Sequence, residues 1–571
     1  MVNKAIELKN ITYFYPNTSV PALENINLSI DYGEFIAIAG PSGGGKSTLC
    51  RIIVGLIPHV YGGSLAGEVY VDGVNVVDKG VKGVAGRVGI VLQIPENQIV
   101  NLVVEEEIVF PLENFLFDID TVSKRLEDVL KDLEISYLRY RTTNTLSGGE
   151  IQKVVLASVL AYKPKILILD EPLAHLDPYS VRDLLTLLYK IHKTENLTIV
   201  VIEHRLTELI KYISRLIVLD RHVILDDEPR KALLKMMDSG FGRGIEIPPI
   251  SKFFSMIKTD FPPINIDESI EYFTKLLNKD SIRCKDSAIH GENKDMGDSE
   301  DPVITVENLW YIYPNGVAAL RNVNIDIYKG EFIALVGANG SGKTTLIKHL
   351  NGILKPSRGR VLVFGKDTSR CSVAELARYI GIVFQNPLHQ FFKETVLEEV
   401  IFTAKSMGVR NADERATSIL KAFNLHHLAD RSPYEISVGE QRRLAIASIL
   451  VYDPHIIALD EATAGIDFSL KMELLKILID LVRKGKTVIL ATHDIEFLTY
   501  APINRVIVLN NGEVVAQGPS REILYNDIVL AKARITPPQI PTLINSIGIG
   551  ECIKPLNEKE LYLSIKSGID E

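Results

Sequence analysis

The sequence predicts an α/β protein built from two copies of one domain. Residues 6–11 recur as residues 304–309, and residues 33–37 recur as residues 330–334. In each copy a short apolar, strand-like run leads into a glycine-rich loop, and a helical pattern follows. Later landmarks keep the same order with small deletions, which indicates a duplicated domain and not a solenoid.

The composition excludes several classes of protein. The chain has 571 residues, 46% of them apolar and 24% charged, as in ordinary globular proteins. Its net charge of −9 disfavours a polyanionic partner such as nucleic acid. No apolar run approaches the roughly 18 residues of a membrane span, and no apolar leader is expected at the start. The cysteines lack metal-ligand spacing and are expected to be reduced thiols of a cytosolic chain: Cys50, Cys284, Cys371 and Cys552.

The repeat divides the chain into five predicted segments. Two are the α/β domains, residues 1–240 and 302–530, and two are their small C-terminal tails, residues 241–284 and 531–571. Each tail opens near a Pro-Pro pair and continues as an apolar, helical stretch expected to serve association. Residues 285–301, which are polar and acidic, are expected to form a flexible linker.

The two glycine-rich loops have the pattern of phosphate-binding loops. Each reads G-x-x-x-x-G-K-[ST] between a strand and a helix, at residues 40–47 and 337–344. Their backbone N–H groups, together with the helix N-terminus, would surround phosphate oxygens. Lys46 and Lys343 would reach the β- and γ-phosphates, while Ser47 and Thr344 would bind Mg²⁺. The predicted loop residues are Gly40, Pro41, Ser42, Gly43, Gly44, Gly45, Lys46, Ser47, Thr48, Gly337, Ala338, Asn339, Gly340, Ser341, Gly342, Lys343, Thr344 and Thr345.

Two acidic pairs follow buried strands later in each copy. Asp170 and Asp460 are placed to bind Mg²⁺ through water, because ligands of open α/β sheets lie at the carboxyl ends of strands. The next residues, Glu171 and Glu461, are placed to polarise an attacking water.

Together these residues resemble the ATP-binding cassette (ABC) family over almost the whole chain. The family's signature segment appears at residues 146–150 and 436–440, each at the start of a helix. The resemblance implies two P-loop NTPase domains in tandem, each with a helical signature subdomain and a small C-terminal tail, and ATP and Mg²⁺ as cofactors. It also implies roles for Gln93 and Gln385 at Mg²⁺, Asp177 and Asp467 in the loop that crosses the dimer, His204 and His493 at the γ-phosphate, Tyr15 and Tyr313 on adenine, and Ser147, Gly148, Gly149, Ser437 and Gly439 on the nucleotide.

In this family each ATP is held head-to-tail, so each site takes its signature from the other copy. Site one would combine the first copy's loop and carboxylates with Ser437 and Gly439, and site two the second copy's with Ser147 and Gly149. Val438 stands where the family prefers glycine. Since a β-branched residue restricts the backbone and crowds a close approach, we expect site one to hydrolyse ATP more slowly, unless Ser437 and Gly439 suffice for phosphate binding.

The residues after each glutamine favour a transport role. Residues 93–99 and 385–391 resemble the helix of energy-coupling-factor ATPases, the motors of metal-ion and vitamin importers, with Gln98 and Gln390 near the docking groove of an integral membrane partner. This implies an ATPase at the cytoplasmic face of the cell membrane. Two alternatives stay open: a fused sugar-importer ATPase, and a tandem ATPase acting on ribosomes or nucleic acid. The basic linker, iron–sulfur or zinc segments of the latter are missing from the sequence.

Overall fold

The computed structural model describes residues 4–174, 176–242, 244–259, 262–277, 301–550 and 552–569. The chain divides into two compact units. Unit 1 comprises the residues up to Asn265 together with Asp467–Ser469, and unit 2 comprises Ile266–Ile466 and the residues from Leu470 onward. The predicted linker lies outside the described residues except for Asp301.

Each half of the chain contains two sheets of the same design. In the first half a four-stranded antiparallel sheet has the order β2-β1-β4-β5, and a six-stranded sheet has the order β10-β9-β3-β8-β7-β6. In the six-stranded sheet all neighbours are parallel except β9 and β10. The strands are β1 (Lys4–Phe14), β2 (Leu23–Asp31), β3 (Phe35–Ala39), β4 (Ser64–Val71), β5 (Val74–Asn75), β6 (Val88–Val91), β7 (Ile166–Asp170), β8 (Thr198–Ile202), β9 (Arg215–Asp220) and β10 (His222–Asp227).

The second half repeats this arrangement strand for strand. Its sheets have the orders β12-β11-β14-β15 and β16-β17-β18-β13-β19-β20. The strands are β11 (Ile304–Ile312), β12 (Ala318–Ile327), β13 (Phe332–Val336), β14 (Arg358–Val363), β15 (Lys366–Asp367), β16 (Ile380–Val383), β17 (Ile456–Asp460), β18 (Thr487–Thr492), β19 (Arg505–Asn510) and β20 (Glu513–Pro519).

Helices flank the sheets, as an apolar parallel sheet with two faces to cover requires. Those of the first half and its tail are α1 (Lys46–Ile53), α2 (Val76–Val84), α3 (Val104–Asn114), α4 (Ile119–Asp132), α5 (Gly148–Ala161), α6 (Pro178–Glu195), α7 (Pro229–Ser239), α8 (Pro249–Met256) and α9 (Ile266–Leu277). Those of the second half are α10 (Lys343–Leu350), α11 (Val373–Leu376), α12 (Val396–Ser406), α13 (Ala412–Ala422), α14 (Val438–Leu450), α15 (Phe468–Arg483), α16 (Ile495–Leu498), α17 (Ser520–Leu524), α18 (Asp527–Lys532), α19 (Gln539–Ser546) and α20 (Glu558–Ile569).

The strands that carry the glycine loops lie in the middle of their sheets. β3 pairs with β8 and β9, and β13 pairs with β18 and β19, so both strands are buried along their whole length. A strand with neighbours on both sides and helices on both faces must be apolar throughout, which explains the runs FIAIA and FIALV. Each glycine loop therefore starts from a rigid core position.

The segment between each glutamine and signature is helical, as predicted. α3 and α4 pack against each other and against α5, and α12 and α13 pack likewise against α14. In the tails, α8 and α19 begin at or just after the Pro-Pro pairs, and α9 belongs to unit 2, where it packs against α19. The boundaries of the predicted segments stay predictions. In the described ranges, the helices fall short of the length and apolar character of a membrane span.

Candidate nucleotide site

The first glycine loop is closed by its own lysine. Nζ of Lys46 donates hydrogen bonds to the carbonyl oxygens of Gly40 and Pro41 at 2.9 and 2.8 Å. Gly45 caps α1 with φ 91°, and a Cβ there would lie 2.6 Å from the carbonyl oxygen of Ala22. Only glycine fits this left-handed, crowded position, so the loop geometry explains the second glycine of the motif.

The second glycine loop repeats this geometry. Nζ of Lys343 donates to the carbonyl oxygens of Gly337 and Ala338 at 2.6 and 3.0 Å. Gly342 has φ 107°, and a Cβ there would meet the carbonyl oxygen of Ala319 at 2.8 Å. The predicted loop residues thus come together in both copies with a lysine over the loop and a helix N-terminus behind it, the arrangement that binds phosphate.

The donors beside each loop fit Mg²⁺. Oγ of Ser47 donates to Oδ1 of Asp170 at 3.1 Å, and Oδ1 of Asp460 is buried without a hydrogen-bond partner in the described structure. Within the described ranges, His, Cys, Asp and Glu residues form no group of three that could hold a metal by itself. A hydroxyl, one carboxylate and nucleotide phosphates are the ligands that Mg²⁺ takes at such sites, so the residues present fit the ion.

Glu171 occupies a strained and largely buried position in the first copy. Its φ is 48°, and its N–H donates to the carbonyl oxygen of Ile202 at 2.9 Å. Nε2 of Gln93 donates to its Oε2 at 2.6 Å, and Nδ1 of His204 lies 3.9 Å from its Oε1. Burial and then the nearby Glu203 carboxylate raise the pKa of Glu171 to about 7. Burial also raises the pKa of the adjacent Asp170.

Glu461 has the same backbone but different neighbours in the second copy. Its φ is again 48°. Nδ1 of His493 lies 3.0 Å from its Oε2, and Nζ of Lys343 lies 3.2 Å from its Oε1. Burial by itself would raise the pKa of Glu461, but the contacts with His493 and Lys343 outweigh it, so the pKa is lowered. Burial raises the pKa of Asp460. The two glutamates are therefore not equivalent.

A buried glutamate beside the first histidine escaped the sequence analysis. Glu203 is fully buried, and its Oε1 accepts the N–H groups of His204 and Arg205 at 2.9 and 3.1 Å. Its Oε2 accepts the N–H of Leu173 at 3.3 Å. The side chain therefore joins the histidine loop to the loop that follows Glu171.

The second copy makes the corresponding connection with hydroxyl groups. Oγ1 of Thr492 lies 3.2 Å from Oγ1 of Thr463, and it accepts the N–H of Asp494 at 3.0 Å. Aligning the two copies residue by residue would have revealed the exchange of glutamate for threonine.

A second exchange lies on the signature helices. Nη1 of Arg442 donates to the carbonyl oxygen of Gln385 at 2.7 Å, and its Nη2 donates to that of Ala464 at 3.4 Å. The corresponding residue of the first copy is Gln152, whose Nε2 donates to the carbonyl oxygen of Pro172 at 2.6 Å. Burial lowers the pKa of Arg442 to about 10, which leaves it charged at neutral pH.

Both signature segments begin a helix with the same reciprocal cap. Ser147 and Ser437 each accept the backbone N–H of the glutamate three residues on, and that glutamate accepts the serine N–H at 2.8 Å in both copies. Gly148 has no left-handed φ, and a Cβ there would meet Oε1 of Glu96 only at 3.9 Å. The backbone at the position of Val438 therefore accepts a β-branched residue, and crowding of a bound nucleotide by its side chain stays a prediction.

The tyrosines expected at adenine are tied to the helices behind the loops. The hydroxyl of Tyr15 lies 3.0 Å from Oγ1 of Thr48, and that of Tyr313 lies 3.1 Å from Oγ1 of Thr345. Asp177, expected in a crossing loop, caps α6 by accepting the N–H of Ser180 at 3.0 Å.

The two glutamines expected near a docking groove turn their amides inward. Gln98 accepts the N–H of Leu92 at 2.6 Å and donates to the carbonyl oxygen of Ile90 at 3.1 Å. Gln390 donates to the carbonyl oxygen of Ile382 at 2.8 Å. Each amide thus fastens a short 3-10 helix, Pro95–Gln98 or Pro387–Gln390, to the edge strand before it. The neighbouring Val100, Leu102 and Phe392 supply the exposed surface.

Comparison with known proteins agrees with this geometry. The ABC transporter family model matches residues 23–174 and 320–464. A protein of Caldanaerobacter subterraneus named as an ABC transporter ATP-binding protein is 36% identical over 555 residues, covering 96% of this chain and 97% of the relative. One of Methanosarcina mazei is 32% identical over 550 residues, covering 95% and 94%.

A solved structure of CbiO1 from Clostridium perfringens, part of the ABC transporter complex CbiONQ, is 38% identical and covers 43% of this chain and 100% of its own, with a TM-score of 0.38. On the family match and the full-length relatives, the chain belongs to the ABC transporter ATP-binding family and carries two ATP-binding cassettes in tandem. The fold class predicted from the duplicated loops is confirmed.

Proposed function

We propose that the chain is the ATP-hydrolysing motor of a membrane importer, of the energy-coupling-factor type that takes up metal ions or vitamins. Its cassettes would pair head-to-tail within one chain and dock on an integral membrane protein at the cytoplasmic face of the membrane. The observation that carries the proposal is the exposed apolar surface directly after Gln93 and Gln385.

We call residues 94–102 and 386–394 the docking segments. In the first, Val100 is 66% exposed and Leu102 is 71% exposed, while in the second Phe392 is 75% exposed. Large apolar side chains exposed together beside polar ones are typical of protein contact surfaces. Because each segment follows the glutamine of its nucleotide site, a partner bound there would be connected to the site by a few residues of backbone.

The short helices in these segments support the energy-coupling-factor type. Each begins with a proline at its first position, Pro95 or Pro387, and ends at the glutamine that binds the edge strand. This is the segment whose sequence resembles that of energy-coupling-factor ATPases. The fused sugar importers lack this pattern, and the ribosome-type alternative has no feature of the described structure in its favour.

The chemistry follows from the residues of each site. Lys46 and Lys343 would move from loop carbonyls to phosphate oxygens, and Mg²⁺, when bound, would neutralise charge on the phosphates. Glu171 or Glu461 would orient a water and accept its proton as the water oxygen bonds to the γ-phosphorus and the bond to the β-phosphate oxygen breaks. The histidine near each glutamate would donate a hydrogen bond to the departing phosphate. Most of the catalysis would therefore come from positioning and charge.

The proposal is tested by purifying the tagged full-length chain from detergent-solubilised membranes of its own cells and identifying what accompanies it. We expect an integral membrane protein in stoichiometric amount with the chain. Recovery with ribosomes or nucleic acid, and without a membrane protein, would overturn the transport function and favour the alternative.

The docking segments yield a more local prediction. Replacing both Val100 and Leu102 by aspartate should lower the amount of co-purified membrane protein at least tenfold, because charged groups cannot be buried against an apolar partner at low cost. The basal ATPase activity of the purified chain should change little. Leu116→Asp is the matched control, since Leu116 is 91% exposed but lies between α3 and α4. Equal recovery from both variants would show that the partner binds elsewhere.

A further inference from the structure

We propose that the two nucleotide sites differ in how much they depend on a divalent cation, the first cassette losing far more affinity for ATP than the second when Mg²⁺ is removed. The inference rests on the nucleotide and Mg²⁺ positions proposed above. Its origin is a difference in fixed charge between two corresponding clusters of residues.

The first contribution is the additional carboxylate of the first cassette. Nδ1 of His204 lies 3.5 Å from Oε1 of Glu203 and 3.9 Å from Oε1 of Glu171, so two acids flank one imidazole. The hydrogen-bond donors to the Glu203 carboxyl group are backbone N–H groups. In the second cassette the same position is the neutral Thr492.

The second contribution is the additional cation of the second cassette. Arg442 is 5% exposed, and its guanidinium donates to the carbonyl oxygens of Phe384, Gln385 and Ala464. Its charge therefore acts on the neighbouring Asp460–Glu461 pair through a poorly hydrated interior. In the first cassette the same position is the neutral Gln152.

The other charged residues near the two sites either have a counterpart of the same charge in the other cassette or contribute less to the difference. Arg51 on α1 acts on Asp170 as Lys348 on α10 acts on Asp460, so these two cations cancel in the comparison. The residue after each histidine also differs. Asp494 is neutralised by Nζ of Lys471 at 2.6 Å. Arg205 is partly exposed but its Nη2 is buried, so its positive charge offsets part of the negative charge of Glu203.

Glu203 adds a negative charge to the first cluster, which Arg205 and the raised pKa of Glu171 partly offset, and this cluster lacks the positive charge of Arg442. The first cluster is thus more negative than the second. A bare triphosphate carries more negative charge than its magnesium complex, so a negative cluster repels the bare form more strongly. The cation removes that repulsion at the first site, whereas at the second site Arg442 already supplies a positive charge beyond that of the loop lysine. Metal-free ATP should therefore distinguish the cassettes.

The test measures equilibrium binding of a fluorescent N-methylanthraniloyl ATP to the full-length chain with Mg²⁺ and with EDTA. Lys343→Ala removes ATP binding by the second cassette, so binding to the first cassette is measured. Lys46→Ala removes binding by the first cassette, so binding to the second is measured. The measured quantity is the dissociation constant in EDTA divided by the dissociation constant in Mg²⁺. We expect this ratio to be roughly tenfold or more larger for the first cassette than for the second. Equal ratios, or a larger ratio for the second cassette, would overturn the inference.

Charge variants assign the cause. In the Lys343→Ala chain, Glu203→Gln and Gln152→Arg should each reduce the ratio, and in the Lys46→Ala chain Arg442→Gln should increase it. Gln152→Arg keeps the Glu203 hydrogen bonds intact, so it separates charge from folding. If neither Glu203→Gln nor Gln152→Arg changes the ratio, the inference is wrong. Absence of binding by both chains in Mg²⁺ would instead refute the site assignment, and with it the proposed function.

Discussion

Glu461→Gln should reduce the steady-state ATPase activity of the chain by about a hundredfold, the loss expected when a general base is removed. Glu171→Gln should reduce it by less than about threefold. Glu461 is held as a carboxylate by His493 and Lys343, whereas burial and Glu203 favour the protonated form of Glu171. In the proposed pairing, Val438 would also crowd the nucleotide that Glu171 serves. The second cassette's glutamate should therefore account for most of the turnover.

Nucleotide binding provides the control for these two variants. Both should bind ATP with affinity close to that of the unsubstituted chain, because the lysines and the glycine loops are untouched. Equal losses of activity from the two substitutions would contradict the asymmetry. They would show that hydrolysis at the two sites is coupled or that the sites are equivalent.

Phe332→Ala should destabilise the second cassette by about 3–5 kcal/mol, the usual cost of emptying a phenylalanine site in a packed core. Phe332 begins β13, is 0% exposed, and belongs to the cluster that joins the central sheet to the helices around it. Since β13 carries the second glycine loop, ATP binding by that cassette should be lost at the temperature at which the cassette unfolds. Thermal unfolding followed by circular dichroism, with and without ATP, measures both effects.

Phe392→Ala is the matched control in the same cassette. Phe392 is 75% exposed in a docking segment, so its loss should change the free energy of unfolding by no more than about 0.5 kcal/mol. It should instead lower recovery of the membrane partner. A similar fall in melting temperature for both phenylalanine variants would mean that the docking segment is part of the core, which the proposed function does not allow.

The elements that depend on short, local patterns could be predicted from the sequence. The glycine loops follow buried strands and Asp170 and Asp460 end them, and a duplicated pattern in register leaves little room for chance. The signature serines could be placed at helix N-termini for the same reason. The expected segment boundaries, by contrast, depend on which tail helix packs where, and α9 is placed in unit 2 by contacts distant in sequence.

The residues that the sequence analysis missed act through side chains that connect separate loops. Glu203 joins the histidine loop to Leu173, thirty positions earlier, and no spacing rule predicts that bond. In the sequence Arg442 looks like an ordinary charged residue on the surface of a helix. In the structure it donates hydrogen bonds to carbonyl oxygens of two other loops. Gln98 looks like a surface glutamine, but the unpaired edge of β6 offers its amide a donor and an acceptor.

That last bond gives the two cassettes different mechanical properties. The amide of Gln98 donates to the carbonyl oxygen of Ile90 and accepts the N–H of Leu92. Two hydrogen bonds therefore close the loop that runs from the edge strand through Gln93 to Gln98. In the second cassette Oε1 of Gln390 has no hydrogen-bond partner in the described structure, and a single bond closes the loop. A displacement of Val100 would be transmitted to Gln93 almost in full, because two hydrogen bonds hold the segment between them. A displacement of Phe392 would be partly absorbed by movement of its segment, which one hydrogen bond holds.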